Sequence, residues 1–288
     1  MWKWYHSKIL RKLIHIGDWS VAIRTINGET LEKNSGAPFV PVANTDKYWF
    51  ADPILFENNE KTWLFVEAFD KTKYKGELGV FEVLDGICQN YKTILEKDYH
   101  LSYPYIFKDG NNIYMLPESG NGRVLTLYKA VDFPFKWELD CVLNTGEAFR
   151  DSTPYISNNE LYIFTYERTD KNRFFHTFKC YNYRFDIKEK KIVLIDSFDD
   201  INKNMRSAGW VSYKNGNIIR VSQKCDKIYG EGLLFWTVPS EKCDWKKASL
   251  LKTVLGKDVF IQGLGHPITI HTYSRTTKYE VIDYRVRK

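Results

Sequence analysis

Motifs of several common enzyme classes are absent from this sequence of 288 residues. It contains no G-x-G-x-x-G, P-loop, G-x-S-x-G or H-E-x-x-H pattern, which argues against nucleotide-binding α/β enzymes, serine hydrolases and zinc peptidases. The five cysteines are odd in number, widely spaced and without a C-x-x-C pair. This usage predicts buried thiols in a reducing compartment and no metal site.

Long apolar runs and concentrated positive charge are also absent. No stretch approaches the ~20 apolar residues of a membrane-spanning helix, and the first residues lack the apolar region of a signal peptide. We therefore expect a cytoplasmic protein. The net charge is only +6, without a block of Lys and Arg among aromatics, so nucleic acid is not an expected partner.

Residues 1–17 have a character of their own. In MWKWYHSKILRKLIHIG, apolar side chains recur on one face of a predicted short amphipathic helix, and basic side chains lie off that face. Two interpretations stay open. Residues 2–16 either rest on an anionic membrane surface at the inner face of the membrane, or pack across the domain predicted at 18–288.

An internal repeat dominates the rest of the chain. Each copy has a small or turn-forming start, a strand, a polar turn and a second strand, and copies start at intervals of about 50 to 58 residues. The copies are FADPILFENNEKTWLFVE (50–67), LSYPYIFKDGNNIYMLPE (101–118), RDSTPYISNNELYIFTYE (150–167), RSAGWVSYKNGNIIRVSQ (206–223) and, more weakly, GLGHPITIHTYSRTTKYEVID (263–283). The offset of 14 residues from Pro53 to Glu67 recurs from Pro104 to Glu118.

Each hairpin is followed by further strand-like sequence, so a copy holds three or four strands punctuated by NN, DG and NG turns. Units of this kind predict an all-β fold, a five-bladed β-propeller formed by residues 18–288. Residues 18–26 are expected to add a strand to the last blade and close the ring. A two-sheet sandwich is the alternative, but its strands would not recur as near-copies.

The predicted hairpins place polar residues together at the open end of each unit. With the turn at the centre of the first hairpin, Asp52 is expected opposite Glu67, with the cross-strand Cβ atoms ~5 Å apart. By the same count Tyr103 lies opposite Glu118. Carboxylates are therefore expected at equivalent ends of successive units.

The innermost strands of a propeller line a central channel, so these polar ends are expected to converge there. The converging residues are Asp52, Glu67, Glu118, Asp151, Arg206 and Gln223. Clustered carboxylates separate their pKa values, and Arg150 or Arg206 can supply the counter-charge, as glycoside cleavage requires. The alternative is that these acids only bind exposed backbone N–H groups.

Histidines and aromatic residues flank the same ends. His266 and His271, in GHPITIH, are predicted to line the channel as hydrogen-bonding groups and not as metal ligands. Trp49 and Tyr103 are predicted to stack on sugar rings, with burial in the core as the alternative. No cofactor is expected.

The chain resembles the propeller domain at the N-terminus of plant glucosamine inositolphosphorylceramide transferases and of similar bacterial proteins from polysaccharide-synthesis loci. The resemblance covers approximately residues 46–285 and rests on WFADPILFE, YHLSYPYIF, YMLPES, LYKAVDFPFKWEL, DSTPY, YGEGLLF and HPITIHTYS. More distantly the chain is similar to the five-bladed glycosidases of families 43, 32 and 130.

That resemblance implies roles for individual residues. Asp52, in the ADP segment, matches the base or nucleophile of the glycosidases, and Asp151, in RDST, matches the Asp that stabilises their transition state. Glu118, in PES, is the predicted general acid, although the glycosidases take this residue from a later blade, where Gln223 stands.

Two functions are predicted. The first is a glycosidase or glycosyltransferase that builds or trims a cell-surface glycan, with a carbohydrate or sugar-nucleotide substrate. The second is a non-catalytic module that presents a sugar or lipid-linked glycan to a partner enzyme of polysaccharide synthesis. The resemblance implies the second because the transferase chemistry of the plant proteins is attributed to a separate C-terminal domain.

Overall fold

The computed structural model describes residues 16–28, 30–32, 37–169, 177–202, 204–240 and 244–287. Their regular structure consists of β-strands and three short 3-10 helices, Gly120–Gly122, Trp245–Lys247 and Gly256–Asp258. No helix in these ranges is long and apolar enough to cross a membrane. Most of the predicted N-terminal helix, residues 1–15, lies outside the described residues, and Ile16 forms an isolated bridge with Arg287.

The described chain begins with β1 (Ser20–Thr25) and β2 (Val40–Val42) and then forms three antiparallel sheets of four strands each. Within each sheet the strands pair in sequence order. The first holds β3 (Tyr48–Asn58), β4 (Lys61–Asp70), β5 (Lys75–Leu84) and β6 (Ile87–Leu95); the second β7 (Ser102–Asp109), β8 (Asn112–Glu118), β9 (Val124–Asp132) and β10 (Lys136–Thr145); the third β11 (Phe149–Ser157), β12 (Glu160–Arg168), β13 (Phe178–Asp186) and β14 (Lys191–Asp199).

A fourth sheet has eight strands. It contains β15 (Ser207–Lys214), β16 (Asn217–Lys224), β17 (Gly232–Pro239), β18 (Ser249–Leu255), β19 (Tyr273–Arg275) and β20 (Tyr279–Tyr284), with β1 and β2 at one edge. One parallel pair, Gly209 with Tyr273, joins β15 to β19. The predicted closing strand within 18–26 is confirmed, because β1 pairs with β20 along its whole length.

Apolar clusters lie between each sheet and the next. A further cluster joins β16 to β20 within the fourth sheet, and another joins β20 to the first sheet. They bring together Phe65 with Met115, Leu116 with Ile163, Phe164 with Ile218, Val221 with Ile282, and Val281 with Leu64. Neighbouring strand residues such as Leu64 and Phe65 point to opposite faces of a sheet, so one strand contributes to two clusters. The packing of the sheets therefore runs in a ring.

Four strand pairs are each interrupted by a β-bulge near the end away from the turn: β3 with β4, β7 with β8, β11 with β12, and β15 with β16. Each bulge contains a residue with positive φ: Asp52 (48°), Tyr103 (47°), Asp151 (45°) and Gly209 (93°). Left-handed backbone is ordinary for Gly, tolerated by Asp and rare for a bulky residue such as Tyr. The surroundings of the bulges must therefore impose this conformation.

The bulges correct the predicted cross-strand pairing. The residue opposite Glu67 is Ala51 and not Asp52, and the residue opposite Glu118 is Ser102 and not Tyr103. A bulge adds one residue to the first strand, and the alternation of apolar and polar residues does not reveal it. Asp52 consequently stands outside the ladder of its own hairpin.

Gly209→Ala should destabilise the protein more than Gly216→Ala. A Cβ at Gly209 would lie 2.4 Å from the Tyr273 carbonyl oxygen, whereas a Cβ at Gly216 meets nothing within 4 Å. Both residues have positive φ, so Gly216→Ala reports the conformational cost alone, about 1 kcal/mol. We expect Gly209→Ala to lower the free energy of unfolding in urea by about 3 kcal/mol. Equal losses would contradict a tight junction between β15 and β19.

Candidate active site

Five buried carboxyl groups, drawn from all four sheets, lie close enough to interact electrostatically. Asp52, Glu67, Glu118, Asp151 and Asp283 are each no more than 6% exposed. Other predicted site residues are interspersed among them: Arg150, Arg206, Gln223 and His271. Sequence reasoning missed Asp283, which is embedded in the otherwise apolar strand β20.

Asp52 is bound by groups from other sheets. Its Oδ1 accepts a hydrogen bond from Thr272 Oγ1 at 2.9 Å, and its Oδ2 accepts one from the Tyr103 backbone N–H at 3.2 Å. His271 Nε2 lies 3.5 Å from Asp52 Oδ1. Burial raises the pKa of Asp52 above its ordinary value, His271 lowers it and Asp283 raises it again. A carboxyl group in this setting can accept a proton near neutral pH.

Asp283 organises the neighbourhood of His271. Its oxygens accept the backbone N–H groups of Asp52, His271 and Thr272 at 2.8 to 3.0 Å, and His271 Nδ1 lies 2.7 Å from Asp283 Oδ2. The Trp19 ring stacks on His271 with centroids 4.1 Å apart. Burial alone would lower the pKa of His271, but Asp283, followed by Asp52, raises it above its ordinary value.

One group of three residues in the described part of the chain has the spacing to surround a metal ion. The ligand atoms of Asp52, His271 and Asp283 lie within 4.8 Å of one another. Both oxygens of Asp283 already accept backbone N–H groups, and Asp52 binds Thr272 and Tyr103. We interpret the trio as an internal ion-paired group.

Glu118 lies between two arginines. Arg150 Nη1 contacts its Oε1, Arg206 Nη2 lies 3.5 Å from its Oε2, and the Asp151 backbone N–H donates to Oε2 at 3.1 Å. Burial alone would raise the pKa of Glu118, but Arg150 and Arg206 lower it to about 2. A carboxyl group that stays ionised is a poor proton donor, so this geometry does not suit the general-acid role predicted for Glu118.

Asp151 shares Arg206 with Glu118. Arg206 contacts it through Nε and through Nη2, the latter 3.2 Å from Oδ1, and Gln223 Nε2 donates to Oδ2 at 2.9 Å. Burial raises the pKa of Asp151 more than Arg206 lowers it, and Glu118 raises it further, to about 8. Gln223 is thus a neutral donor to Asp151 inside the cluster.

Glu67 has a different polar neighbour. His100 Nε2 lies 3.3 Å from Glu67 Oε1, and the Gly76 N–H donates to His100 Nδ1 at 2.9 Å. Burial, followed by Asp52 and Glu118, raises the pKa of Glu67 well above its ordinary value. Sequence reasoning missed His100 because it precedes β7 in a connecting segment, outside the repeated hairpin.

Aromatic side chains lie beside the cluster. Trp49 is half-buried and stacks on Phe69 with centroids 4.5 Å apart, and the Phe69 ring lies 6.2 Å from His100. Tyr229, which is 42% exposed, approaches the His271 ring edge-on at 5.2 Å. Tyr229 was missed because it lies in the loop between β16 and β17, where the repeat has no equivalent.

Two residues predicted to bind substrate lie elsewhere. Tyr103 is fully buried, and its hydroxyl bonds with Thr153 Oγ1 and accepts the Gly209 N–H, both at 2.8 Å. The left-handed bulge thus directs the ring into the protein interior. His266 is exposed, with Nδ1 2.7 Å from the Val259 carbonyl oxygen, because its loop folds back onto the segment after β18.

Acid should weaken the protein through Glu118. Its pKa is about 2, below the ordinary 4.5, so the ionised form stabilises the folded state above pH 4.5, and this contribution is lost as the pH falls toward about 2. The full effect is roughly 3 kcal/mol. In urea denaturation, wild type should lose more free energy of unfolding than Glu118→Gln between about pH 5 and about pH 2.5. Glu57→Gln, at an exposed position, should follow wild type, and parallel profiles for wild type and Glu118→Gln would contradict the ion pairs.

A family model described as "Glucosamine inositolphosphorylceramide transferase 1, N-terminal" matches residues 20–249. Curated relatives of the name glucosamine inositolphosphorylceramide transferase 1 are 40% identical over 95 residues in Oryza sativa subsp. indica and 31% identical over 129 residues in Arabidopsis thaliana. These matches cover 32% and 44% of this chain but only 13% and 16% of the relatives. The similarity is thus to a small part of much longer proteins.

Solved structures of glycosidases share the fold. The catalytic domain of Coprinopsis cinerea GH62 α-L-arabinofuranosidase aligns with a TM-score of 0.63 at 10% identity, over 92% of this chain and 96% of that one. A thermostable family-43 glycoside hydrolase aligns with a TM-score of 0.56 at 12% identity, over 84% and 90%. These likenesses show an all-β propeller fold. Together with the family match, they confirm the predicted resemblance: the chain belongs to the family of the N-terminal region of glucosamine inositolphosphorylceramide transferase 1.

Proposed function

We propose that the protein is an enzyme that makes or breaks a glycosidic bond at the carboxyl cluster. The observation that carries this proposal is an imbalance of buried charge. Five carboxyl groups face three cationic groups, Arg150, Arg206 and His271. Because burial penalises unpaired charge, some of these carboxyl groups keep a proton while others are ionised. Glycosidic chemistry requires this division between a proton donor and a base or nucleophile.

Individual roles follow from the contacts. Asp52 is the base or nucleophile: it takes a proton from the attacking group or itself attacks the anomeric carbon. Asp151, held by Arg206 and Gln223, stabilises the positive charge that develops on the sugar ring when its carboxyl group is ionised, which its pKa of about 8 favours at mildly alkaline pH. Glu118 orients Arg150 and Arg206.

The proposal extends to the finer architecture and the setting. The sheets divide into five blades of four strands, the last formed by β19 and β20 with β1 and β2. The family name and the glycosidase fold support a role in building or trimming a cell-surface glycan. We place this role on the cytoplasmic side, with residues 2–16 at the membrane surface and enzymes of polysaccharide synthesis as partners, because those residues are basic and amphipathic.

A second candidate function is a glycan-binding module. It is favoured by the contacts of Asp52, Glu118 and Asp283, whose oxygens bind the N–H groups of three bulge residues and thereby serve the fold. In this case recognition depends on the stacked pair of Trp49 and Phe69.

Asp52→Asn should abolish turnover and leave the fold intact. Asn keeps an oxygen for the Tyr103 N–H but can neither accept a proton nor attack carbon, so we expect a loss in kcat/KM of about 10²- to 10⁴-fold. Sugar nucleotides, free sugars and oligosaccharides are first screened by thermal shift, and stabilising compounds and their aryl glycosides are then assayed for turnover. Glu57→Gln, on the same strand, is the matched control. Turnover by Asp52→Asn at the wild-type rate would exclude this mechanism.

Trp49→Ala separates the two functions. If aromatic stacking provides recognition, its loss should weaken binding of the best ligand from that screen by about 1 kcal/mol, or roughly fivefold in Kd by calorimetry. Tyr213→Ala removes a more exposed aromatic ring, 58% accessible, outside the cluster and should leave the Kd unchanged. A binding module predicts this loss together with full binding by Asp52→Asn and no bond cleavage by wild type. An unchanged Kd in Trp49→Ala would exclude recognition through this pair.

A further inference from the structure

Glu67 is the one carboxyl group of the cluster that supports no neighbouring sheet. The other four bind groups that fix the ring: Asp283 accepts the Asp52 N–H, Asp52 the Tyr103 N–H, Glu118 the Asp151 N–H, and Asp151 the side chains of Arg206 and Gln223. Among the described residues, no backbone N–H donates to Glu67, and its Oε2 makes no hydrogen bond. Glu67 is therefore available for a reaction.

The hydrogen bonds of His100 define which of its ring nitrogens carries the proton. Because the Gly76 N–H donates to His100 Nδ1, that nitrogen carries no proton in the neutral ring, and Nε2 does. The protonated nitrogen is the one that lies 3.3 Å from Glu67 Oε1. Catalytic hydrogen bonds are often this long in the absence of substrate.

The backbone fixes this pair. A Cβ at Gly76 would lie 2.8 Å from His100 Cε1 and 2.9 Å from Glu67 Oε1, so only glycine leaves room for both side chains. The Leu101 N–H donates to the Gly76 carbonyl oxygen at 3.0 Å and ties the segment after His100 to β5. The side chain of Glu67 is 8% exposed and that of His100 is 33% exposed. The pair thus lies between the buried cluster and solvent.

The surrounding charges favour a proton on Glu67. Burial raises the pKa of Glu67, and the charges of Asp52 from β3, Glu118 from β8, Asp283 from β20 and Asp151 from β11 raise it further. His100 faces Glu118 and Arg150, and burial lowers its pKa, so the imidazole is neutral at neutral pH. The neutral ring directs its Nε2–H toward Glu67 Oε1, so Oε2 is the oxygen that can carry the carboxyl proton.

We propose that Glu67 is the proton donor of the site and that His100 is the positioning residue that holds Glu67 Oε1 and leaves the carboxyl proton on Oε2. This inference rests on the proposed glycosidic chemistry. As the bond between the anomeric carbon and the leaving oxygen breaks, its electron pair passes to that oxygen, which takes the proton of Glu67. In hydrolysis, water supplies hydroxide to the sugar and its remaining proton to Asp52. A proton from solvent then restores the acid form of Glu67.

Nuclear magnetic resonance tests the proton-holding pair without any substrate. In full-length protein labelled with ¹³C in the Glu carboxyl groups and ¹⁵N in the His rings, one carboxyl signal, absent in Glu67→Gln, should titrate well above the ordinary range. His100, assigned by its absence in His100→Gln, should be the tautomer with the proton on Nε2. His266→Gln, at an exposed histidine, should leave the Glu67 titration unchanged. An ordinary titration of Glu67, or the opposite tautomer, overturns the proposal.

Leaving-group kinetics test the reaction itself. Aryl glycosides with a poor leaving group, 4-methylphenol, need a proton donor, whereas those with 2,4-dinitrophenol do not. We expect Glu67→Gln to lose about 10²-fold or more in kcat on the first and little on the second, and to lose the alkaline limb of the pH profile. An equal loss on both substrates overturns the donor role and leaves the proposed function standing. Absence of wild-type turnover on every glycoside and every sugar nucleotide overturns the proposed function and the donor role with it, while the titration still decides whether Glu67 holds a proton.

Discussion

Backbone N–H groups at the centre of the ring must find hydrogen-bond acceptors, and side chains of other sheets supply them. Each bulge leaves residues outside its own strand ladder, and a buried N–H without an acceptor costs about 1–3 kcal/mol. The acceptors are Asp283 for Asp52, Asp52 for Tyr103, Glu118 for Asp151, and the Tyr103 hydroxyl for Gly209. Four contacts between sheets thereby hold the left-handed residues in place. The polar groups at the centre are therefore needed for the fold, whatever reaction takes place there.

This double use explains why carboxyl groups collect where burial opposes them. Asp52 and Glu118 accept hydrogen bonds from backbone N–H groups best when they are ionised. His271 and the two arginines offset the cost of burying their negative charge. These structural contacts also limit the reactions of a carboxylate. A carboxylate that accepts two or three hydrogen bonds moves little, and its protonation is disfavoured. A residue free of such contacts, as Glu67 is, has wider scope to exchange a proton.

The sequence predicted the features that repetition makes visible. Hairpins of constant offset indicated the four-strand units and the ends at which Asp52, Glu67, Glu118 and Asp151 assemble. It failed where a single residue breaks the pattern, because each bulge shifts the register by a residue that alternation conceals, and Tyr103 consequently lies in the interior. His100, Tyr229 and Asp283 escaped notice for another reason: the first two lie in connections outside the repeated motif, and Asp283 lies in the weakest copy of that motif.

Glu67 and Glu118 show how a repeat acquires chemistry. Both pair with the residue that precedes the bulge in their own hairpin, so the backbone treats them alike. Their neighbouring side chains differ. Glu118 contacts Arg150 and Arg206 and is ionised, whereas Glu67 lies beside His100 among other carboxyl groups and retains a proton. In the third sheet the same register position holds Tyr166, which is buried and neutral. One backbone position thus carries three protonation behaviours, and the side chains that the surrounding segments place beside it decide which.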